Sequence, residues 1–176
     1  MGLCGPVDEK SSNKVYGIVS YVAPELLRGK KNTKESDIYS VGMLMWEIFA
    51  GHPPFDDRAH NHRLIFDICE GLRPPILPGI PDDYVQMMQR CWDVDPSKRP
   101  TSRELYDFAE NKRNEIINSN NTTSSGSNAS QQVHKSHPEA YHTSRILDEE
   151  IAKFKSLKIY TSNDSSLNTL DFSSFL

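Results

Sequence analysis

The sequence is poor in cysteine and has no long apolar run, and each absence excludes a class of protein. Its three cysteines, Cys4, Cys69 and Cys91, lie far apart among 176 residues and show no CxxC spacing. This pattern predicts free thiols in a reducing compartment, with neither a disulfide framework nor a metal site. No stretch of about 18 apolar residues is present, and the N-terminus lacks the basic and apolar pattern of a secretory signal. We therefore expect no membrane segment and a cytoplasmic location, with the nucleus as the alternative.

An excess of positive charge is also missing. The chain carries 20 Lys and Arg residues against 24 Asp and Glu residues, which gives a formal net charge of −4. Proteins that bind nucleic acids usually present a strongly basic surface, so we expect no nucleic-acid partner. A hydrophobic content of 36% is enough for one modest core, and one domain followed by a tail is the simplest organisation.

The segment 37–50 has apolar residues on every side of a predicted helix. This pattern indicates a helix that is surrounded by protein. Thr33 or Ser36 can cap its start, and Gly51, which is followed by two prolines, ends it.

Three further helices are predicted downstream. An apolar stripe within 59–70 predicts a helix that Gly71 ends. The stretch 73–81 has too many prolines for a helix or an inner strand, and the next helix opens at Asp82 or the residue after it. Thr101-Ser102-Arg103-Glu104 has the form of a capping box and predicts the start of a fourth helix.

The composition changes abruptly after Ile117. Residues 118–132 are almost wholly Ser, Asn, Thr and Gln, which cannot bury enough apolar area to offset chain entropy. We therefore predict a disordered linker at 117–140 and a tail at 141–176. Within the tail, apolar residues at helical spacing predict a short amphipathic helix from Asp148 to Tyr160. The alternative is a transient helix without a partner, because so short a helix is marginal alone.

Three sequence motifs occur in one order: Val22-Ala23-Pro24-Glu25, Ser36-Asp37-Ile38-Tyr39-Ser40-Val41-Gly42 and Trp92-Asp93-Val94-Asp95-Pro96-Ser97-Lys98-Arg99-Pro100. Together they resemble the second half of a protein kinase, over residues 1–112. Cys91-Trp92 and Arg73-Pro74 resemble the tyrosine-kinase-like branch of the serine/threonine kinases. The resemblance implies a mainly α fold, the helical C-lobe portion of a protein kinase-like fold. It implies a partial kinase domain at 1–116, followed by a disordered C-terminal tail.

The resemblance also implies chemistry whose residues this sequence does not carry. A kinase needs a glycine-rich lid over ATP, a lysine–glutamate pair, a catalytic-loop aspartate and asparagine, and a magnesium-binding aspartate. None of these motifs is found, and Met1-Gly2 stands where the Phe-Gly of the Asp-Phe-Gly motif belongs. We therefore expect this chain to start just after the magnesium-binding aspartate and to contain no catalytic residue and no ligand for ATP or Mg²⁺.

Two functions remain open from the sequence. The family reaction is ATP-dependent phosphorylation of protein Ser or Thr, with Tyr as a further acceptor, and the isolated chain is expected to be inactive. The alternative is a non-catalytic, pseudokinase-like module that binds proteins. Both functions imply protein partners or substrates, and the oligomeric state stays undetermined. Because the kinase segments that would cover part of the helix at 37–50 are not among these residues, we also expect an exposed apolar patch and low stability.

By the resemblance, residues 3–18 form an activation segment. Ser11, Ser12 and Tyr16 are its candidate phosphorylation sites, because a phosphate can order such a loop by pairing with arginine. The alternative is that all three are ordinary solvated hydroxyl groups, which loops commonly contain.

Five residues that overlap the end of this segment resemble the peptide-docking loop of serine/threonine kinases and are predicted to bind substrate: Gly17, Ile18, Val19, Ser20 and Tyr21. Ile18 departs from the family pattern, which has a Thr whose hydroxyl bonds the catalytic aspartate and a lysine. Isoleucine cannot supply that hydrogen bond to a charged group, which is worth about 1.5–3 kcal/mol.

Four residues are assigned structural roles by the resemblance. Glu25 and Arg99 correspond to a buried salt bridge, for which the planar fork of arginine is well suited. Asp37 corresponds to an aspartate that accepts N–H groups of the catalytic loop, or it is simply a first-turn acid that the helix dipole favours. Trp92 is predicted to lie in the core.

Overall fold

The structure, a computed structural model, describes residues 15–120 and 136–163. In these ranges it is mainly helical, which confirms the predicted fold class. The helices are α1 (Pro24–Leu27), α2 (Lys34–Ala50), α3 (His62–Cys69), α4 (Asp82–Cys91), α5 (Ser102–Asn120) and α6 (Asp148–Asn163), with 3₁₀ turns at Val19–Tyr21 and Pro96–Lys98 and strands β1 (Tyr16–Gly17) and β2 (Arg145–Ile146). None of the helices in these ranges is both long enough and apolar enough to cross a lipid bilayer.

Helix α2 lies at the centre of the domain, as its apolar pattern predicts. Thr33 caps its start: Thr33 Oγ1 accepts from the Ser36 amide, and Ser36 Oγ accepts from the Thr33 amide. Its end is at Gly51, whose φ of 73° is in the left-handed region that glycine adopts without strain. Tyr39 and Met43 are completely buried. The helix begins at Lys34, three residues before the predicted start at residue 37, because the Thr33–Ser36 pair caps it there. The apolar pattern alone does not show this start.

Helices α2 and α4 approach each other closely at Gly42. A Cβ atom at this position would lie 2.8 Å from Cys91 Cβ and 3.3 Å from the Met88 carbonyl oxygen. Only a residue without a side chain fits such a crossing. The Tyr84 hydroxyl donates to the Met45 carbonyl, at 3.2 Å, and so links the same two helices a turn away. The close approach therefore places the last turn of α4 directly against the middle of α2.

Capping side chains set the starts of α3 and α5. Asn61 Oδ1 accepts from the amides of Arg63 and Leu64, so α3 begins at His62, later than the predicted Ala59. The predicted capping box of α5 is present, because the Thr101 amide donates to Glu104 Oε2 at 2.8 Å and the Glu104 amide donates to Thr101 Oγ1 at 3.2 Å.

The boundaries of the predicted linker at 117–140 differ from the structure at both ends. Helix α5 continues to Asn120, and residues 136–140 contact the loop that precedes α3. The His137 amide donates to the Asp56 carbonyl at 2.6 Å, and the His60 amide donates to the Glu139 carbonyl at 2.9 Å. These are backbone contacts, which composition does not reveal. The part of the predicted linker at 121–135 lies outside the described residues.

Residues 136–157, called here the C-terminal segment, return to the domain. Strand β2 pairs antiparallel with β1, with Tyr16 opposite Ile146 and Gly17 opposite Arg145. Helix α6 then packs against α3 and buries Ile151 and Phe154. The predicted helix from Asp148 to Tyr160 is therefore confirmed and extends to Asn163. The alternative of a helix without a partner is wrong, because its apolar face lies in the core.

Candidate functional site

The Glu25–Arg99 pair is present and buried, as the sequence predicts. Arg99 Nη1 donates to Glu25 Oε1 at 2.7 Å and Arg99 Nη2 donates to Glu25 Oε2 at 2.9 Å, so the two groups meet as parallel forks. Ser36 Oγ adds a third hydrogen bond to Glu25 Oε1, at 3.0 Å. Two further N–H groups of Arg99, on Nη1 and Nε, donate to the carbonyls of Glu35 and Asp93. Every charged atom of the pair therefore has a partner.

Burial and charge oppose each other at Glu25. Burial acts to raise the pKa of this carboxyl group, but hydrogen bonds from Arg99 and Ser36 and the positive charge of Arg99 outweigh it, so the pKa is lowered. The guanidinium carbon of Arg99 also lies 5.2 Å from the centre of the Tyr39 ring, which favours the cation further. The pair is thus charged at neutral pH and joins the start of α1 to the loop before α5.

The predicted docking loop, Gly17–Tyr21, lies directly before α1. The Tyr21 amide donates to the Ile18 carbonyl at 2.9 Å and closes the 3₁₀ turn. Ser40 Oγ, on α2, donates to the Tyr21 carbonyl at 2.8 Å and ties the turn to the central helix. Gly17, Val19 and Ser20 are buried, whereas Ile18 and Tyr21 are half-buried.

A cleft of about 360 Å³ lies beside this loop. It is lined by Gly17, Ile18 and Tyr21 of the loop and by His142 and Ser144 of the C-terminal segment. The other lining residues are Val22, Ser40, Leu44, Glu47 and Pro53. Of the five residues predicted to bind substrate, three therefore line the cleft, whereas Val19 and Ser20 support it from the core.

Glu47 is the charged residue among those that line the cleft. The Tyr21 hydroxyl donates to Glu47 Oε2 at 2.9 Å. Burial, together with this hydrogen bond and the negative charge of Glu47, raises the pKa of Tyr21. Tyr21 therefore stays protonated and keeps the carboxylate in position at the cleft.

The other predicted residues lie apart from the cleft. Asp37 is exposed in the first turn of α2, and its carboxylate has no hydrogen-bond partner among residues 15–119 and 136–157. Trp92 is buried, and its carbonyl accepts from Arg73 Nε at 2.9 Å. Tyr16 lies in β1, half-buried, and Ser11 and Ser12 lie outside the described residues. The phosphorylation assignments stay predictions.

Three site features were missed by the sequence analysis. The sequence predicts Ser36 as a capping residue, but its hydroxyl also donates a hydrogen bond to the Glu25 carboxylate. Glu47 stands in the last turns of a predicted helix, and only its spacing from Ser40 suggests that both face the same side. His142 and Ser144 belong to a region whose contacts cannot be derived from the pattern. The cleft is therefore visible only in three dimensions.

Comparison with known proteins settles the family. A family model for the protein tyrosine and serine/threonine kinases matches residues 2–108. The chain belongs to the protein kinase family. Its helical domain is the C-lobe portion of that fold, and the match ends inside α5, before the C-terminal segment.

Several curated proteins, among them kinases, are similar to this chain. A probable serine/threonine-protein kinase of Dictyostelium discoideum is 34% identical over 122 residues, which are 69% of this chain and 8% of the relative. The human mitogen-activated protein kinase kinase kinase 7 is 31% identical over 103 residues, which are 58% of this chain and 17% of the relative. The cyclic GMP-binding protein C of Dictyostelium discoideum is 38% identical over 91 residues, which are 50% of this chain and 4% of the relative. The chain thus spans less than a fifth of the length of each relative.

Proposed function

We propose that this chain provides the substrate-docking part of a serine/threonine protein kinase of the tyrosine-kinase-like branch, and that the chain alone transfers no phosphate. The observation that carries the proposal is the buried Glu25–Arg99 pair beneath the docking loop. It fixes the start of α1, and with it the backbone that follows Gly17–Tyr21. A rigid loop beside an open cleft suits the recognition of an extended peptide.

The residues present do not fit ATP and Mg²⁺. In the described part of the chain, no three His, Cys, Asp or Glu side chains are grouped closely enough to hold a metal ion. The catalytic loop that Asp37 would support is not among these residues, and Ile18 offers carbon where a hydroxyl would bond the catalytic aspartate. No step through the nucleotide can therefore be assigned to these residues, and the proposal for this chain is docking without phosphoryl transfer.

A second candidate is a non-catalytic module that binds proteins. Ile18 favours it, because a docking loop without the hydroxyl loses its link to the catalytic machinery. In this reading the docking surface lies within 59–93 and on the tail helix rather than at Gly17–Tyr21. For both candidates we propose protein partners and a cytoplasmic location, and the balanced charge of the chain argues against nucleic acid.

Two measurements on the purified chain test the proposal. The first incubates the chain with radiolabelled ATP, Mg²⁺ and a generic protein substrate, and we expect no incorporation above a blank without the chain. The second measures binding of a fluorescent, degenerate peptide mixture with serine at its centre.

Matched variants separate the two candidates in the binding measurement. Ile18→Asp places a charge on the wall of the cleft and is expected to weaken peptide binding at least fivefold. Arg63→Gln makes the same change of charge, by minus one, on α3 and is expected to leave binding unchanged. The reverse result would favour the non-catalytic module, and phosphate transfer by the chain alone would contradict the proposal.

A further inference from the structure

The C-terminal segment binds both backbone polar groups of Val15, which belongs to the predicted activation segment. The Leu147 amide donates to the Val15 carbonyl at 2.9 Å, and the Val15 amide donates to Asp148 Oδ1 at 3.1 Å. The family match covers residues 2–108, so these bonds join the kinase region to a segment outside it. Val15 is therefore held by the residues at which β2 passes into α6.

Strand β1 has one strand partner within residues 15–120 and 136–163. The sheet consists of β1 and β2, and each contributes two residues. So short a two-stranded sheet is not stable by itself in water. The extended conformation at Tyr16 and Gly17 therefore depends on the contacts that fix β2 to the domain.

Apolar side chains anchor the chain on the C-terminal side of β2. Leu147 is completely buried, and Ile151 and Phe154 are buried with it. The Phe154 ring meets the Phe66 ring of α3 edge-on, with ring centres 6.3 Å apart. Detaching Leu147 would expose its side chain to water, which opposes opening of the strand pair at this end.

His60 fastens the chain on the N-terminal side of β2. This residue is buried in the loop before α3. Its amide donates to the Glu139 carbonyl at 2.9 Å, and its Nδ1 atom lies 3.0 Å from the Tyr141 carbonyl oxygen. Its own carbonyl accepts from Arg145 Nη2 at 2.5 Å. Strand β2 is therefore fixed to the domain on both sides.

The pairing of β1 with β2 restricts access to Tyr16. Its side chain is half-buried, and it lies opposite Ile146 in the sheet. An enzyme that modifies a side chain binds the surrounding segment in its own active-site cleft, so the segment has to leave the sheet first. Local opening is infrequent where buried contacts oppose it. Access to Tyr16 is therefore limited by how often the strand pair separates.

We propose that residues 145–148 are an intramolecular latch on the predicted activation segment, which withholds Tyr16 from modifying enzymes while it is closed. The latch opens by local detachment of these four residues while α6 stays packed on α3. Leu147 and Asp148 are positioning residues, because the first supplies an anchor and an amide donor and the second accepts from the Val15 amide. The latch does not depend on the proposed peptide docking.

Residue-resolved hydrogen exchange of the full chain measures the latch directly. We expect the Val15 amide to exchange about tenfold faster in Leu147→Ala, which removes a buried anchor, and in Asp148→Ala, which removes the acceptor of that amide. The matched controls are Leu157→Ala, at a side chain that is 44% exposed, and Glu149→Ala, in the first turn of α6. Neither control should change the exchange of Val15.

Enzymatic phosphorylation tests the consequence for Tyr16. A purified tyrosine kinase domain is chosen that phosphorylates a synthetic peptide of residues 9–23 at Tyr16, and mass spectrometry distinguishes this site from Tyr21. We expect the wild-type chain to be phosphorylated at Tyr16 about tenfold more slowly than the peptide. Leu147→Ala and Asp148→Ala should raise the rate towards that of the peptide, whereas the two control variants should keep the wild-type rate.

Specific results would overturn the latch. One is exchange of the Val15 amide at the same rate in the wild type and in both latch variants. Another is phosphorylation of wild-type Tyr16 as fast as in the peptide. Loss of protection at the amides of Tyr39 and Phe154 in both latch variants would also overturn it, because residues 145–148 would then open only together with the whole domain. Failure of the chain to bind peptides would leave the latch unaffected.

Discussion

At the scale of single residues, the Glu25–Arg99 pair shows how a buried charge can be tolerated. Removing two charges from water costs several kcal/mol per ion, and good geometry with further hydrogen bonds is needed to offset that cost. Here the carboxylate accepts from Arg99 and Ser36, and the guanidinium also reaches two backbone carbonyls. The pair therefore fixes one arrangement of α1, α2 and the loop before α5.

Removal of one partner should be strongly destabilising. Glu25→Ala leaves the Arg99 guanidinium buried without a counter-charge, and we expect the free energy of unfolding in urea to fall by about 3–5 kcal/mol. Asp107→Ala removes an acid from the exposed Arg103–Asp107 pair and should cost less than about 1 kcal/mol. An equal decrease in the free energy of unfolding in the two variants would show that the buried pair stabilises the fold no more than the exposed pair does.

Single residues were predicted well where a motif identified them and poorly elsewhere. The Glu25–Arg99 contact followed from the resemblance, although the two residues are 74 positions apart. The role that the resemblance implied for Asp37 is not seen in the structure. The catalytic loop that this residue would contact is not among the residues of this chain, and its carboxylate is exposed. Glu47 carries little sequence signal beyond its spacing from Ser40, since one acid on a helix is usually a solvated group.

At the scale of elements, helices with an apolar stripe were predicted with the correct type and approximate position. Their starts were less accurate, because a cap such as Asn61 is a local hydrogen bond that competes with several neighbouring polar residues. The pairing of β1 with β2 was not predicted. Each strand has two residues, and a register between residues 128 and 130 positions apart leaves no period in the sequence.

Helix α6 is expected to act as part of the core rather than as an appendage. Phe154 is 2% exposed, and Phe154→Ala removes a ring that packs on Phe66. We expect a loss of about 3–5 kcal/mol in the free energy of unfolding. Leu157→Ala, on the same helix but 44% exposed, should change it by less than about 0.5 kcal/mol.

Thermal or urea unfolding followed by circular dichroism measures both variants of α6. A loss confined to a separate early transition, with the main transition unchanged, would contradict the assignment of α6 to the core. A single transition that shifts as a whole in Phe154→Ala is the expected outcome, because the helix and α3 share one cluster of buried side chains.

At the scale of the whole molecule, the core is well packed on one side and open on another. Ile48 and Phe49 at the end of α2 are 74% and 43% exposed, and Ile116 and Ile117 on α5 are 58% and 50% exposed. A groove of about 660 Å³ runs between α2, α4 and α5. Exposed apolar residues of this kind agree with the expected apolar patch, and the expected low stability stays a prediction.

Acid should destabilise the molecule through its paired carboxylates, and Glu25 provides the test. Its pKa is lowered below the ordinary 4.5 in the folded chain, because hydrogen bonds from Arg99 and Ser36 outweigh burial. The unfolded chain therefore takes up the proton first as the pH falls. The stabilisation by Glu25 is complete above about pH 4.5 and is lost as the pH falls through the folded pKa.

Urea unfolding between pH 7 and pH 3 measures this loss. The difference in unfolding free energy between the wild type and Glu25→Gln should be constant near neutrality and should shrink below about pH 4.5. The exposed acids, among them Asp83 and Glu104, titrate in both proteins and cancel in the difference. A difference that stays constant down to pH 3 would rule out a titrating role for Glu25.

The contact between Gly42 and Cys91 has a consequence for chemical labelling. The Cys91 sulfur is completely buried, and burial raises the pKa of its thiol to about 12, so almost none of it is present as the reactive thiolate. A thiol-specific reagent reaches this atom only after α2 and α4 have separated. The rate at which Cys91 is alkylated therefore measures how often the centre of the domain opens, without any engineered cysteine.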